Sequence, residues 1–207
     1  MENKQLDENP EVIDPQLEST QEPQAPKGRP AWLSFTLEVL QTLILALVLY
    51  FLIDSVIARV RVINISMLPT LRPGEFLMVN KLAYRFSEIE RGDIIVFHYP
   101  QNPEEDFIKR VIGVPGDTVS VMKGVVHING QAVDEPYISD PPTYNGQWMI
   151  PEGNVFVLGD NRNQSSDSHQ WGNVPLENIV GRALVIYWPL ENFEILTHPE
   201  LVQAATP

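Results

Sequence analysis

A chain of 207 residues with 43% apolar side chains is long enough for one ordinary domain and a short additional segment. Its net charge of −13 argues against nucleic acid as a partner, because phosphate backbones are held by Lys and Arg. With no cysteine there is no disulfide framework, Cys-based metal site or thiol nucleophile.

Residues 1–30 hold seven acids and three bases, are dotted with prolines and lack apolar periodicity. They read as a disordered acidic tail. Residues 31–58 follow as a predicted membrane anchor. The apolar stretch Leu37 to Ile57 would span ~31 Å as a helix, matching the hydrocarbon core of a bilayer. Trp32 and Phe35 precede it as interfacial anchors. The run is too long, and starts too far from Met1, for a cleavable signal peptide. Lys27 and Arg29 before the helix and Arg59, Arg61 and Arg72 after it leave the orientation undecided by charge.

Residues 59–190 read as a mainly β domain, a barrel-like set of curled antiparallel sheets. Arg59–Val62 alternates, and Glu75–Val79 follows the turn Arg72-Pro73-Gly74. Strand-like runs recur at Asp93–Phe97, Phe107–Ile112, Thr118–Val121 and Val125–Ile128. The last of these meets Asn129-Gly130, a hairpin signal. Residues 134–151 are proline-rich and read as a long loop. Val155–Leu158 and Ala183–Tyr187 are continuous apolar runs of strand length. Residues 191–207 are weakly patterned and read as a C-terminal tail. The four histidines, His98, His127, His169 and His198, have no ligand spacing, so neither a metal nor a cofactor is expected.

Three blocks carry chemistry. The first is Ser66-Met67-Leu68-Pro69-Thr70-Leu71, just past the apolar stretch. The second is Phe107-Ile108-Lys109-Arg110-Val111-Ile112-Gly113-Val114-Pro115-Gly116-Asp117. The third runs from Gly159-Asp160-Asn161-Arg162 through Ser165 and Asp167 to Trp171-Gly172. A serine needs a group to take its proton, and a lysine does so only when neutral. Burial among Phe107, Ile108, Val111 and Ile112 would lower the lysine pKa, because desolvation penalises the charged form. Strand alternation sends Lys109 and Arg110 to opposite faces, one toward a site and one toward a carboxylate such as Asp160. Taken singly, each block also reads blandly. Lys109 would be an ordinary strand lysine, Ser66 the start of a turn before Pro69, and Ser165 a turn cap.

Together and in this order the blocks resemble the bacterial and organellar type I signal peptidases. Arg91-Gly92-Asp93-Ile94-Ile95-Val96-Phe97 resembles a further strand of that family. The resemblance implies a membrane-anchored endopeptidase that removes signal peptides from exported preproteins after small residues, typically Ala-x-Ala. It implies Ser66 as nucleophile, Lys109 as general base and Ser165 as the serine that orients the lysine. Asp160, Arg162 and Asp167 match positions bracing the site, with Arg110 the expected partner of Asp160. Met67, Leu71, Phe107 and Ile108 match pocket-lining positions, although all four also read as core residues, Leu71 at least as well as a pocket residue. The partners implied are preprotein signal peptides and a lipid bilayer, with the chain functional as a monomer. The resemblance also implies a cytoplasmic tail in a plasma or thylakoid membrane, with the catalytic domain on the outer or lumenal side.

Two departures stand out. Asn64-Ile65 precedes the nucleophile where Ser, Thr or Gly and then Gly are usual. The upstream residue helps hold the oxyanion in that family, so Asn64 is the expected donor through its amide. His169 stands where an arginine is common, and any ion pair it makes with Asp167 depends on pH. The alternative is a catalytically impaired homologue serving as a membrane-tethered binding module, which the Asn64-Ile65 departure alone would favour.

Overall fold

The computed structural model describes residues 31–197. The expectation for 1–30, and the part of the C-terminal expectation at 198–207, fall outside them. Among the described residues, those up to Ala46 belong to one unit and those from Leu47 onward to a second, which contains every candidate site residue.

The chain opens with helix α1 (Ala31–Val56). Its stretch Trp32–Val56 has a mean hydropathy of 2.2, and none of its apolar window is buried in the protein. A helix apolar on every face and without protein cover suits a lipid environment. By length and composition it can cross a membrane.

Among the described residues twelve strands and two short α-helices follow. They are β1 (Ile57–Arg61), β2 (Phe76–Asn80), α2 (Ala83–Phe86), β3 (Ile94–Tyr99), β4 (Asn102–Gly113), β5 (Thr118–Met122), β6 (Val125–Ile128) and β7 (Gln131–Ala132). Then come β8 (Gly146–Met149), β9 (Asn154–Leu158), α3 (Ser168–Trp171), β10 (Val174–Pro175), β11 (Ile179–Trp188) and β12 (Glu194–Ile195). The larger sheet runs β1-β2-β11-β3-β4-β9-β10, with β12 on β11; the smaller runs β7-β6-β5-β8. The mainly β class and antiparallel curled sheets agree with expectation. The barrel-like closure does not: β1 and β10 end the larger sheet without pairing to each other. Apolar alternation specifies strands and their buried faces but carries no information on whether the outer strands meet.

Local signals placed the turns well. Asn129 and Gly130 both take positive φ, 54° and 83°, as a two-residue hairpin of this hand requires. Ile128 accordingly pairs with Gln131. The proline-rich loop expected over 134–151 needs correction, because β8 lies inside it. Trp148 pairs opposite Val119 and packs against Phe156 with ring centroids 5.0 Å apart, while Gln147 and Met149 face outward. A four-residue alternation beside so many prolines is too short to be read locally. The expected tail beginning at 191 is also partly folded. Glu194–Ile195 pairs with Val185–Ile186, and Leu196 packs on the core.

Three apolar clusters fill the second unit. One joins Met67, Leu71, Leu77, Val79 and Val96. Another joins Ile112, Val119, Ile150, Phe156 and Leu158 between the two sheets. The third, around Ile95, Phe97, Val111 and Val157, backs β3, β4 and β9. Strand β4 lies between β3 and β9, and its buried second half carries Lys109 and Arg110.

Candidate active site

The segment after β1 is a compact loop. Val62 N–H donates to the Glu75 carbonyl and Gly74 N–H donates to the Val62 carbonyl, closing it at its base. Leu68 N–H donates to Ile65 O and Leu71 N–H to Met67 O, giving a helical turn directly after Ser66. This loop brings Ser66 over β4. Lys109 Nζ lies 3.0 Å from Ser66 Oγ and 3.0 Å from the Ile108 carbonyl oxygen. It also sits 5.1 Å from the centroid of the Phe107 ring.

Lys109 is 4% exposed. Burial pulls its pKa down from 10.5 to about 8, although the Asp167 and Asp160 carboxylates favour the charged form. The desolvation predicted from its neighbours therefore wins over two nearby anions. A sizeable neutral fraction exists near neutral to mildly alkaline pH, and neutral amine within hydrogen-bond reach of a hydroxyl can accept its proton.

Arg110 diverges from Lys109 as expected. Its Nε and Nη2 donate to the two oxygens of Asp160 at 2.8 and 2.7 Å, and its Nη1 donates to Gly92 O. Thr70 Oγ1 donates to the same carboxylate at 2.6 Å, so Asp160 ties the loop of Ser66 to the strand of Lys109. Asp167 caps α3 and accepts the Gly159 N–H at 2.9 Å. It also meets His169 Nδ1 at 2.6 Å, the pair foreseen at this departure. The His169 ring stacks on Tyr144 with centroids 3.9 Å apart.

Ser165 is buried, but among the described residues its Oγ has no hydrogen-bond partner. The expected bond to Lys109 is thus not made; the amine donates to Ser66 and Ile108 instead. Ser165 nonetheless lies beside the nucleophile's backbone. A Cβ added at Gly159 would overlap both Ser165 Oγ and the Ser66 carbonyl oxygen.

A cleft of about 290 Å³ opens at Ser66 and Lys109. Met67, Phe107 and Ile108 line it, as do Asn64 and, unforeseen, Val60, Asp106 and Gln164. Leu71 requires correction. It is fully buried in the core beside Leu77 and takes no part in the cleft wall, because the turn from Met67 carries it inward. A larger cavity of about 790 Å³, beside Tyr84, Arg85 and Glu152, contains none of the expected site residues. Sequence reasoning missed Glu135, Tyr137 and Thr70. Glu135 pairs with Arg162, and the Tyr137 ring lies 4.0 Å from the Arg110 guanidinium. The first two sit in the proline-rich segment, where nothing marks them as buried.

The model of the family described as "Signal peptidase, peptidase S26" matches residues 36–188, and that match spans the loop of Ser66, strand β4 and the Gly159–Gly172 block. The chain belongs to this signal peptidase family. A signal peptidase I of Leptolyngbya laminosa is 47% identical over 191 residues, covering 86% of this chain and 94% of that protein. The chloroplastic thylakoidal processing peptidase 1 of Arabidopsis thaliana is 43% identical over 135 residues, 60% of this chain and 40% of that one. A crystal structure of a signal peptidase I from Enterococcus faecalis is 32% identical, covers 46% of this chain and 97% of that one, and has a TM-score of 0.44. The peptidase is therefore a serine peptidase whose reaction is signal-peptide cleavage and whose substrates are preproteins.

Proposed function

We propose that this peptidase works with Ser66 as nucleophile and Lys109 as general base. The observation that carries the reading is the buried Lys109 amine 3.0 Å from Ser66 Oγ, at the floor of an open cleft. In the forward step Ser66 Oγ attacks the scissile carbonyl, and its proton passes to neutral Lys109. The protonated amine then gives a proton to the leaving nitrogen as the acyl-enzyme forms. Water, deprotonated by the same lysine, attacks the ester and releases Ser66.

The oxyanion donors are the Ser66 N–H and the Asn64 side-chain amide. Among the described residues the Ser66 N–H makes no hydrogen bond, and Asn64 is exposed on the cleft wall. Asn64→Ala is expected to lower kcat by ~10²–10³ with little change in KM, the cost of losing one such donor. Steady-state cleavage of a preprotein checks this, and an unchanged kcat would remove the Asn64 side chain from the oxyanion site. Ser165 supports the site from beside the Gly159 and Ser66 backbones, with its own hydroxyl unpartnered among the described residues.

Substrate selection for small residues, in the sense of Ala-x-Ala, fits a cleft of this small volume walled by Met67, Phe107 and Ile108. Helix α1 serves as the membrane anchor, in a plasma or thylakoid membrane with the β-domain on the outer or lumenal side. Anchoring raises the effective concentration of substrates whose own signal helices occupy the same bilayer.

The test is cleavage of an Ala-x-Ala preprotein by the full chain in liposomes, compared with Ser66→Ala and Lys109→Ala. Cleavage by the parent and none by either variant is expected. Undiminished turnover in folded Ser66→Ala would sink the reading.

A further inference from the structure

The proline-rich segment between β7 and β8 reaches the site through one buried carboxylate. Glu135 and Arg162 side chains are 5% and 0% exposed. Arg162 Nη2 donates to Glu135 Oε1 at 2.6 Å, and Nη1 donates to Oε2. Burial works against the charge on Arg162, but the hydrogen bonds and charge of Glu135 outweigh it and hold the guanidinium firmly cationic. Tyr137 Oη donates to the same Oε1 at 2.7 Å, adding a third hydrogen bond to the carboxylate.

With both Nη atoms held on Glu135, and Nη2 also 3.5 Å from Tyr137 Oη, Arg162 Nε donates to the Gly159 carbonyl at 3.2 Å. The Gly159 N–H is already taken by Asp167. Both polar groups of Gly159 are therefore held by buried side chains. Gly159 is also where the third block packs most closely on the nucleophile: no Cβ fits there between Ser165 Oγ and the Ser66 carbonyl oxygen. The neighbouring Asn161 N–H donates to that same carbonyl at 3.0 Å. A second tie repeats the connection, since Thr143 N–H and Oγ1 both donate to Asn163 Oδ1.

We propose that Glu135 is a positioning residue for the peptidase reaction, acting through Arg162 and the Gly159 peptide on the Ser66 backbone. Glu135 touches neither Ser66 nor Lys109; it sets the guanidinium angle that leaves Nε aimed at Gly159. A carboxylate is required because a neutral side chain leaves Arg162 buried and unpaired, free to compete for Asp160 or Asp167. Losing it lets the Ser66 backbone shift, and displacements near 1 Å are costly to a near-attack geometry. The proposal rests on the Ser66–Lys109 reading.

The experiment is preprotein cleavage by the full chain in liposomes, well below the melting temperature of each variant. Glu135→Gln is expected to lower kcat ~10-fold with KM within twofold of the parent. Arg162→Met should lower kcat at least as much, and adding Glu135→Gln to it should cost less than a further twofold, because the route is already cut. A Glu135→Gln chain that melts earlier yet keeps its kcat would overturn the proposal, as would losses that multiply in the double variant. If Glu135→Gln does not fold, Tyr137→Phe removes only the hydroxyl on Glu135 and should reduce kcat about threefold; an unchanged kcat there also overturns it. The two readings fail separately. A folded parent without activity sinks the dyad, whereas an active parent that is indifferent to these substitutions sinks only the role of Glu135.

Discussion

Lys109→Met is expected to abolish preprotein cleavage while making the β-domain more stable. On the activity side, removal of a general base from a serine peptidase costs on the order of 10⁴-fold or more. Lys109→Arg should be equally inactive, because a guanidinium does not deprotonate. On the stability side, burial holds the Lys109 pKa at about 8, against 10.5 when the chain is unfolded. Between those values the unfolded chain binds a proton that the folded chain does not, so stability increases with pH across that window. Below pH 8 both states carry the proton and the full penalty applies, roughly 3 kcal/mol at 1.36 kcal/mol per unit. Methionine has no charge to bury and nearly the same length, so the variant should melt higher below pH 8, and the gap should close by about pH 10.5. The parent's kcat/KM should rise tenfold per unit as pH approaches about 8 and level off above it. Melting curves and pH–rate profiles on the liposome-embedded chain check both halves. A flat profile between pH 6 and 9 would mean that Lys109 is not the group that takes the Ser66 proton.

Asp160→Ala should be the most destabilising single change near the site. Asp160 is fully buried and accepts three hydrogen bonds, two from Arg110 and one from Thr70. Alanine leaves the Arg110 guanidinium enclosed with only the Gly92 carbonyl and the Tyr137 face as partners. Removing one member of a buried pair costs ~3–5 kcal/mol, because the remaining charge is uncompensated. At ~2–4 °C per kcal/mol for a domain of this size, the melting temperature should fall by about 10 °C. The double variant Asp160→Leu with Arg110→Met should recover most of that loss, since it removes the charge along with its partner. Activity should not return, because Thr70 loses its tie to β4. A fall of under 2 °C for Asp160→Ala would show that the pair is not the brace between the two blocks.

Much of this was legible in the residue order. The apolar stretch announced α1, short alternating runs announced the strands, and Asn129-Gly130 announced a hairpin. Ser66, Lys109 and the Arg110–Asp160 pair were named from motif and alternation, and the structure brings them together across 43 and 50 residues of chain. Leu71 was left between pocket and core because motif proximity does not distinguish a cleft wall from the core beneath it. Its place depends on a turn that carries it beneath the loop, onto Leu77 and Val79. Glu135 was invisible for the opposite reason. An acid among prolines looks solvated until a buried arginine 27 residues on is seen to meet it.

The sequence by itself determined the apolar helix, the antiparallel β character and the chemical identity of a serine with a distant lysine. These follow from composition, periodicity and short motifs, which are local properties of the chain. Only the tertiary structure decided that the larger sheet stays open, that β8 and β12 join the sheets, and that Ser165 packs against Gly159 without bonding Lys109. It also decided the property the chemistry needs most, the enclosure of Lys109. The flanking apolar residues pointed to it, but its extent depends on what every other segment places around the amine, which leaves Lys109 4% exposed.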